Sequence, residues 1–292
     1  MQPMNKNIRI ASYILIVVIF WMLSAIFVEE EIIPEKEPSL FKVAVQQSES
    51  QEYQPKIRLK STTRSEARVE VKAKTSGEVV SIGARQGTNI EKDFILCSLG
   101  VVELNRTEVK APFDGYIENI VKPGNYLQKG QICATIIQLD PIIFIAEVPE
   151  FQINKVRENQ KVKLDLITGQ TIEGKLSFVS KSANNATRTF LVESEIPNEN
   201  GLIRDGITSN MTIYIDKVIA HKIPSSILVL SDEGKLGVRY VNNDNIVQFS
   251  EVIIFEDSND GLWVAGLPSS VNLIVEGQGF VEEGQAVLIN AL

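Results

Sequence analysis

With one histidine and two cysteines in 292 residues, the chain has little material for metal or nucleophilic chemistry. His221 stands in "AHKIPSS" with no nucleophile pattern beside it, where a single imidazole is more often structural or solvated than catalytic. The sequence has no P-loop glycine pattern, no metal-spaced His/Cys set and no serine elbow. Asp114 in "APFDG" reads as a turn residue before Gly115 rather than as a general acid or base. The sequence therefore assigns no catalytic, metal-binding or cofactor-binding residue and points away from an enzyme. The absence of cysteine before Cys97 also excludes lipid attachment at a processed N-terminal cysteine.

Long hydrophobic runs are equally scarce, and a single one is long enough to cross a bilayer. Ile10 to Val28 carries no charge, with Lys6 and Arg9 before it and Glu29, Glu30 and Glu31 after it. The positive-inside rule puts residues 1–9 in the cytoplasm, makes 10–28 a transmembrane anchor and exports the rest. The run is longer than a signal-peptide core, and "LSAIFVEEE" has no small-x-small cleavage site, so an uncleaved anchor is expected. Residues 29–40, rich in Glu and Pro, read as an exposed tether.

The formal net charge is −8, and from Ile219 onward three basic residues face ten acidic ones, 3 − 10 = −7. This argues against nucleic acid or anionic lipid as the partner of the C-terminal part, and most of it reads as a solvated acidic surface.

No long amphipathic helical run follows the anchor. Short Val- and Ile-rich stretches dominate, such as "FKVAVQ", "KIRLKST", "ARVEVKA", "EVVSI", "IIFIAEV", "KVKLDLI", "KLSFVSK" and "EVIIFE", broken by Gly, Asn, Asp and Pro. The expected class is mainly β. One exception, Pro149 to Gln160, predicts a short helix burying a face of Phe151, Ile153 and Val156.

Within this pattern lies an internal repeat. "VKAKTSGEVVSIGARQGTNIEKDFIL" and "VKAPFDGYIENIVKPGNYLQKGQICA" align with one gap, matching Ala73 with Ala111, Gly77 with Gly115, Ile82 with Ile120, Gly87 with Gly124 and Lys92 with Lys129. Gly87 and Gly124 sit where tight turns need positive φ. The same alignment sets Leu96 against Cys133 and Cys97 against Ala134. Strict strand alternation then points the two thiols to different faces, so two reduced, packed cysteines are expected, although an exported chain could oxidise them.

Two such halves joined by a tight turn resemble the flattened β-barrel of biotinyl and lipoyl domains. In the carrier members a lysine at the tip between the halves receives the cofactor. The join from Ser98 to Arg106 has no lysine, and Lys92 and Lys110 lie outside it, so no covalent cofactor is expected.

From Phe41 to Leu292 the chain resembles the periplasmic adaptor subunits, or membrane fusion proteins, of tripartite efflux pumps, particularly the resistance-nodulation-division type. The resemblance rests on "VEVKAKTSGEVVSI", on "RTEVKAPFDGYIENIVKPGNYLQKGQ", on "ATRTFLVESEIPNENGLIRDGITSNMTIYI" and on the closing "GLPSSVNLIVEGQGFVEEGQAVLI", in the family's order. One departure is Ile207 after Gly206, where the family commonly has Met. The resemblance implies a nested architecture: residues 41–47 and 219–292 as a membrane-proximal β domain, 48–64 and 141–218 as a β-barrel with one short helix, and 65–140 as a lipoyl-like flattened barrel furthest from the membrane.

It also implies a single-pass inner-membrane protein, mostly periplasmic, that binds an inner-membrane efflux transporter and its own copies in a ring, with no nucleic-acid partner. Usual members carry a long α-helical hairpin between the lipoyl halves that reaches the outer-membrane channel. Between Leu96 and Ala111 there is no room for its heptads. An outer-membrane channel would then be met by the lipoyl end directly or through a second adaptor that has a hairpin. An adaptor of an ATP-driven exporter and an envelope scaffold without a transport role are the competing readings.

Overall fold

The computed structural model describes residues 6–26, 40–100, 106–258 and 260–291. The first element is a 21-residue helix, Lys6–Ile26, with no acidic residue in its first turn. At 1.5 Å per residue it is about 32 Å long, close to the ~30 Å hydrocarbon thickness of a bilayer. Its apolar side chains from Ile10 to Leu23 are exposed, so nothing among the described residues buries them. Residues 27 and 28 of the expected anchor and residues 29–39 of the expected tether lie outside the described residues.

Nearly everything after Leu40 is strand. Two long strands, Lys56–Lys72 and Ile132–Pro149, pair antiparallel from Ile132 opposite Lys72 to Ala146 opposite Ser61, with a break in register between Gln138 and Ile142. The strings "KIRLKST" and "ARVEVKA", expected as separate strands, are one continuous strand. No turn residue interrupts them, and the outward positions stay polar through most of its length. On either side of the break the longer partner feeds a different core. Cys133, Ala134 and Ile136 enter one cluster, and Ile142, Phe144, Ala146 and Val148 another.

The second cluster fills a barrel. Its strands run in the order Thr171–Lys175, Lys161–Leu166, Thr208–Tyr214, the first half of Lys56–Lys72, the second half of Ile132–Pro149, then Thr189–Ile196 and Phe178–Asn184. Alternation sends Val162, Leu164, Met211, Ile213, Phe144 and Val192 inward while their neighbours face out. The wall closes where Ser194 Oγ donates to the Lys175 carbonyl at 2.8 Å. A Cβ on Gly174 would come within 2.5 Å of Ile196 Cδ1, so that side chain would have to shift to admit one. Ile207 packs against the same core.

The expected helix shrinks to one turn, Glu150–Ile153. Ile153 and Val156 pack on the barrel core as expected, but Phe151 is 79% exposed. Phe151 stands two residues before Ile153, about 200° round a helix, so it points away from the buried face, and the turn ends where Lys155 and Val156 bond three residues back, to Gln152 and Ile153. "KLSFVSK" straddles the gap between strands ending at Lys175 and starting at Phe178, and "EVIIFE" is broken at Val252.

The first cluster is the repeat, whose halves exchange equivalent hydrogen bonds. Gly87 N donates to Ile117 O and Ile117 N to Thr88 O. In the other half Gly124 N donates to Val79 O and Val79 N to Asn125 O. Gly87 and Gly124 have φ of 85° and 87°. Asp114 Oδ1 accepts from Lys92 N at 2.6 Å, and at the matching place Ser76 Oγ accepts from Lys129 N at 3.0 Å. Each half thus wraps its turn onto the other half's strand, so neither half can satisfy these backbone groups alone.

The cysteines correct the sequence reading, for Cys97 and Cys133 are joined in a disulfide with Cα atoms 6.7 Å apart. Strict alternation fails because both strands bulge at matching places. The register shifts between Ile95 and Cys97 in one half and between Ile132 and Ala134 in the other. A bulge lets two successive residues point the same way. Leu96, Cys97, Cys133 and Ala134 are consequently all buried.

In the C-terminal part, strand Phe41–Glu49 lies between Ser270–Glu276, antiparallel, and Val287–Ala291, parallel. A second sheet orders Gln51–Tyr53, Val218–Ile223, Gly261–Ala265 and Ile253–Ser258. Two apolar clusters fill this part, one around Val43, Val241 and Ile274 and the other around Ile223, Val238 and Val264.

Candidate functional site

The chain's functional features concentrate in two places: the join of the repeat, where it departs from its apparent relatives, and the junction between barrel and C-terminal sheets. At the join, strands Ile95–Gly100 and Arg106–Lys110 pair antiparallel, ending with Gly100 opposite Arg106. Residues 101–105, in the middle of the join, lie outside the described residues. Among the described residues no helix stands between these two strands. Lys92 and Lys110 are exposed on either side, with Lys110 Nζ 3.5 Å from Glu108.

At the junction, strand Gln51–Tyr53 leads from the C-terminal sheets into the barrel and pairs with Val218–Ile223, where the chain returns. Tyr53 stacks on Trp263, and its hydroxyl donates to Glu256 Oε2. Arg58, on the outer wall of the barrel, donates to Glu256 Oε1 at 3.0 Å. Burial, then the bond to Glu256, pushes the Tyr53 phenol well above its ordinary pKa. For Glu256, burial acts to raise the carboxyl, but the Tyr53 hydroxyl and the Arg58 guanidinium outweigh it and hold the group below its ordinary value.

His221 lies beside this cluster at 1% exposure, with Nδ1 2.9 Å from Ser48 Oγ. Its Nε2 is buried without a hydrogen-bond partner among the described residues. Burial lowers its pKa, and the nearby Pro268 backbone offsets this only in part. The ring is thus a packed, neutral spacer between strand Phe41–Glu49 and the returning strand. Sequence reading placed His221 at this junction but missed Tyr53, Arg58, Glu256 and Trp263. The one available signal was that Trp263 is the only tryptophan outside the N-terminal helix. Among the described residues no group of three or more His, Cys, Asp or Glu side chains is placed to hold a metal ion.

Residues 144–216, which make up most of the barrel, match the sequence family described as the CusB-like β-barrel domain. The similarity extends well beyond it. Multidrug resistance protein MdtA of Escherichia coli (strain K12 / DH10B) is 24% identical over 278 residues, covering 88% of this chain and 66% of the relative. The chain is similar to MdtA along most of its length. It thus aligns with just under two thirds of the length of the curated relatives.

Solved structures share the fold of this chain. MacA from Actinobacillus actinomycetemcomitans superposes with a TM-score of 0.63 at 13% identity, covering 80% of this chain and 99% of that one. ZneB from Cupriavidus metallidurans gives 0.52 at 13% identity, covering 82% and 94%. No helical hairpin is present among the described residues, where Gly100 pairs opposite Arg106.

Proposed function

We propose that the protein is the periplasmic adaptor of an efflux pump. In this reading it couples an inner-membrane transporter to the export path through protein–protein contacts and performs no chemistry of its own. The observation that carries the reading is a CusB-like barrel set between a repeat-built flattened unit and a C-terminal β part, in a chain that aligns with MdtA over 88% of its length. The helix Lys6–Ile26 anchors the chain with Lys6 and Arg9 on the cytoplasmic side. Residues 41–47 and 219–292 act as the membrane-proximal domain, 48–64 and 141–218 as the barrel, and 65–140 as the lipoyl-like end.

Several copies associate into a ring, and the transporter is met from the membrane-proximal side. With no hairpin to extend it, the flattened end either touches a long outer-membrane channel or hands the path to a second adaptor. Affinity purification of the tagged full chain from its native membranes tests the reading. Recovery of a large multi-span transporter supports it, and recovery only of envelope structural proteins rejects it.

A further inference from the structure

One wall of the barrel carries more cations than its own carboxylates, Asp165 and Glu173, can balance, with Glu173 lying opposite Lys163 in the ladder. Alternation places Lys56, Arg58 and Lys60 on the outer face of the first long strand, with Lys161, Lys163 and Lys175 on two neighbouring strands of the same wall. Lys161 and Lys175 are directly opposite each other in the ladder, an arrangement of like charges that costs stability. Arg58 reaches Glu256, and Lys163 reaches Asp165 at 3.1 Å. Among the described residues Lys56, Lys60, Lys161 and Lys175 have no carboxylate within 4.0 Å. Lys60 instead bonds Asn210, and Lys56 lies 5.6 Å from the centre of the Tyr214 ring. Two adjoining hollows share Tyr214 as a common wall, so these cations surround a concave surface rather than a convex one.

The chain also carries a surface of matching character. Strand Ile253–Ser258 ends its sheet, leaving one edge unpaired. From Glu251 through Ala265 the sequence has four acidic residues and no basic one. Glu251 and Glu256 are engaged within the chain, with Lys235 and Arg58. Asp257 and Asp260 are exposed and have no Lys or Arg within 4.0 Å among the described residues, and Ile253 is 62% exposed beside them.

We propose that the basic barrel wall of one copy receives the acidic edge strand Ile253–Ser258, with Asp260 beyond it, of a second copy. Asp257 and Asp260 then face Lys161 and Lys175. The inference rests on the proposed self-association and supplies its contact. Because two different surfaces meet, the contact is heterologous, which generates rings when the rotation closes. An acidic partner adds to the relief of the Lys161–Lys175 repulsion that Glu173, on the same face, provides within the chain.

The test uses the full chain in detergent micelles, as a mixture of normal and nitrogen-15-labelled copies. A carbodiimide joins amine to carboxylate without a spacer, and mass spectrometry locates each amide. The expected result is mixed-isotope linkage of Lys161 or Lys175 to Asp257 or Asp260. It should fall at least tenfold in the Lys161→Glu/Lys175→Glu double variant, whose unchanged thermal melt shows that the fold is intact. Mixing that variant with the Asp257→Lys/Asp260→Lys variant should restore oligomers, now linked in the reverse sense. If oligomers form with mixed-isotope links only elsewhere, and the double lysine variant assembles like the wild type, the contact is wrong while self-association stands. Linkage of the wall only to a different acidic molecule likewise overturns the contact and leaves self-association standing. A chain that stays monomeric at every concentration, with no mixed-isotope link, overturns both.

Discussion

The Tyr53 ring lies almost flat on Trp263, with centroids 4.1 Å apart and planes 10° from parallel. Both lie in the second C-terminal sheet, and Tyr53 is its last residue before the chain enters the barrel, so the stack holds the connecting segment against the C-terminal part. Glu256 adds a second tie by accepting from both the Tyr53 hydroxyl and Arg58. Trp263→Leu should therefore cost about 1 kcal/mol beyond lost area and broaden the distance distribution between spin labels on the barrel and the C-terminal part. Tyr53→Phe keeps the stack and should broaden it less. Equal, narrow distributions in both variants would show that the stack does not hold the connecting segment.

Acid should loosen the same junction in two stages. His221 has a depressed pKa, so its contribution to stability is complete above the unfolded value of about 6.5 and is lost as pH falls through the folded value. Glu256 is also depressed, and its contribution disappears at lower pH, below the ordinary carboxylate range. Urea unfolding at pH 7.5, 6.0 and 5.0 should give falling stability in the wild type. In His221→Gln the fall between pH 7.5 and 6.0 should be smaller, and an identical slope would remove His221 from the explanation.

The disulfide closes a separation of 36 residues between the halves of the repeat. By loop-closure entropy its removal should cost roughly 4 kcal/mol. Cys97→Ala/Cys133→Ala should lower the denaturant midpoint accordingly, and thiol titration of the unreduced chain should find no reactive thiol even after unfolding. Two titratable thiols in protein purified from the periplasm would restore the reduced reading.

Gly77 and Gly115 occupy matching places in the repeat, and each admits another strand's carbonyl. An added Cβ would meet Gly100 O at 2.5 Å and Ile137 O at 2.4 Å. Gly77→Ala and Gly115→Ala should each destabilise by about 1–3 kcal/mol. Gly279→Ala, with nothing within 4 Å of its Cβ, should change stability by less than about 0.5 kcal/mol. Thermal melts of the three variants provide the comparison.

The repeat was legible in the sequence because its glycines and apolar alternation are local requirements of turn and strand. Asp114 was legible for the same reason. The disulfide was not, because a bulge adds one residue to a strand and reverses every face assignment beyond it, and no residue type at Ile95 or Ile132 announces that. Phe151 misled in a similar way. Ile153 and Val156 share a helix face, but Phe151 stands two residues before Ile153 and so faces the other way. The Tyr53, Arg58, Glu256 and Trp263 group joins residues some 200 positions apart in sequence, and only the nested path of the chain brings them together.

Photocrosslinking in living cells tests the central claim most directly, with the reactive residue placed at Phe280 in the C-terminal part and, separately, at Tyr126 in the flattened unit; both positions are exposed. The account predicts an adduct between position 280 and a multi-span inner-membrane transporter, and no such adduct from position 126. Adducts from position 280 confined to envelope structural proteins, with no transporter among them, would contradict it.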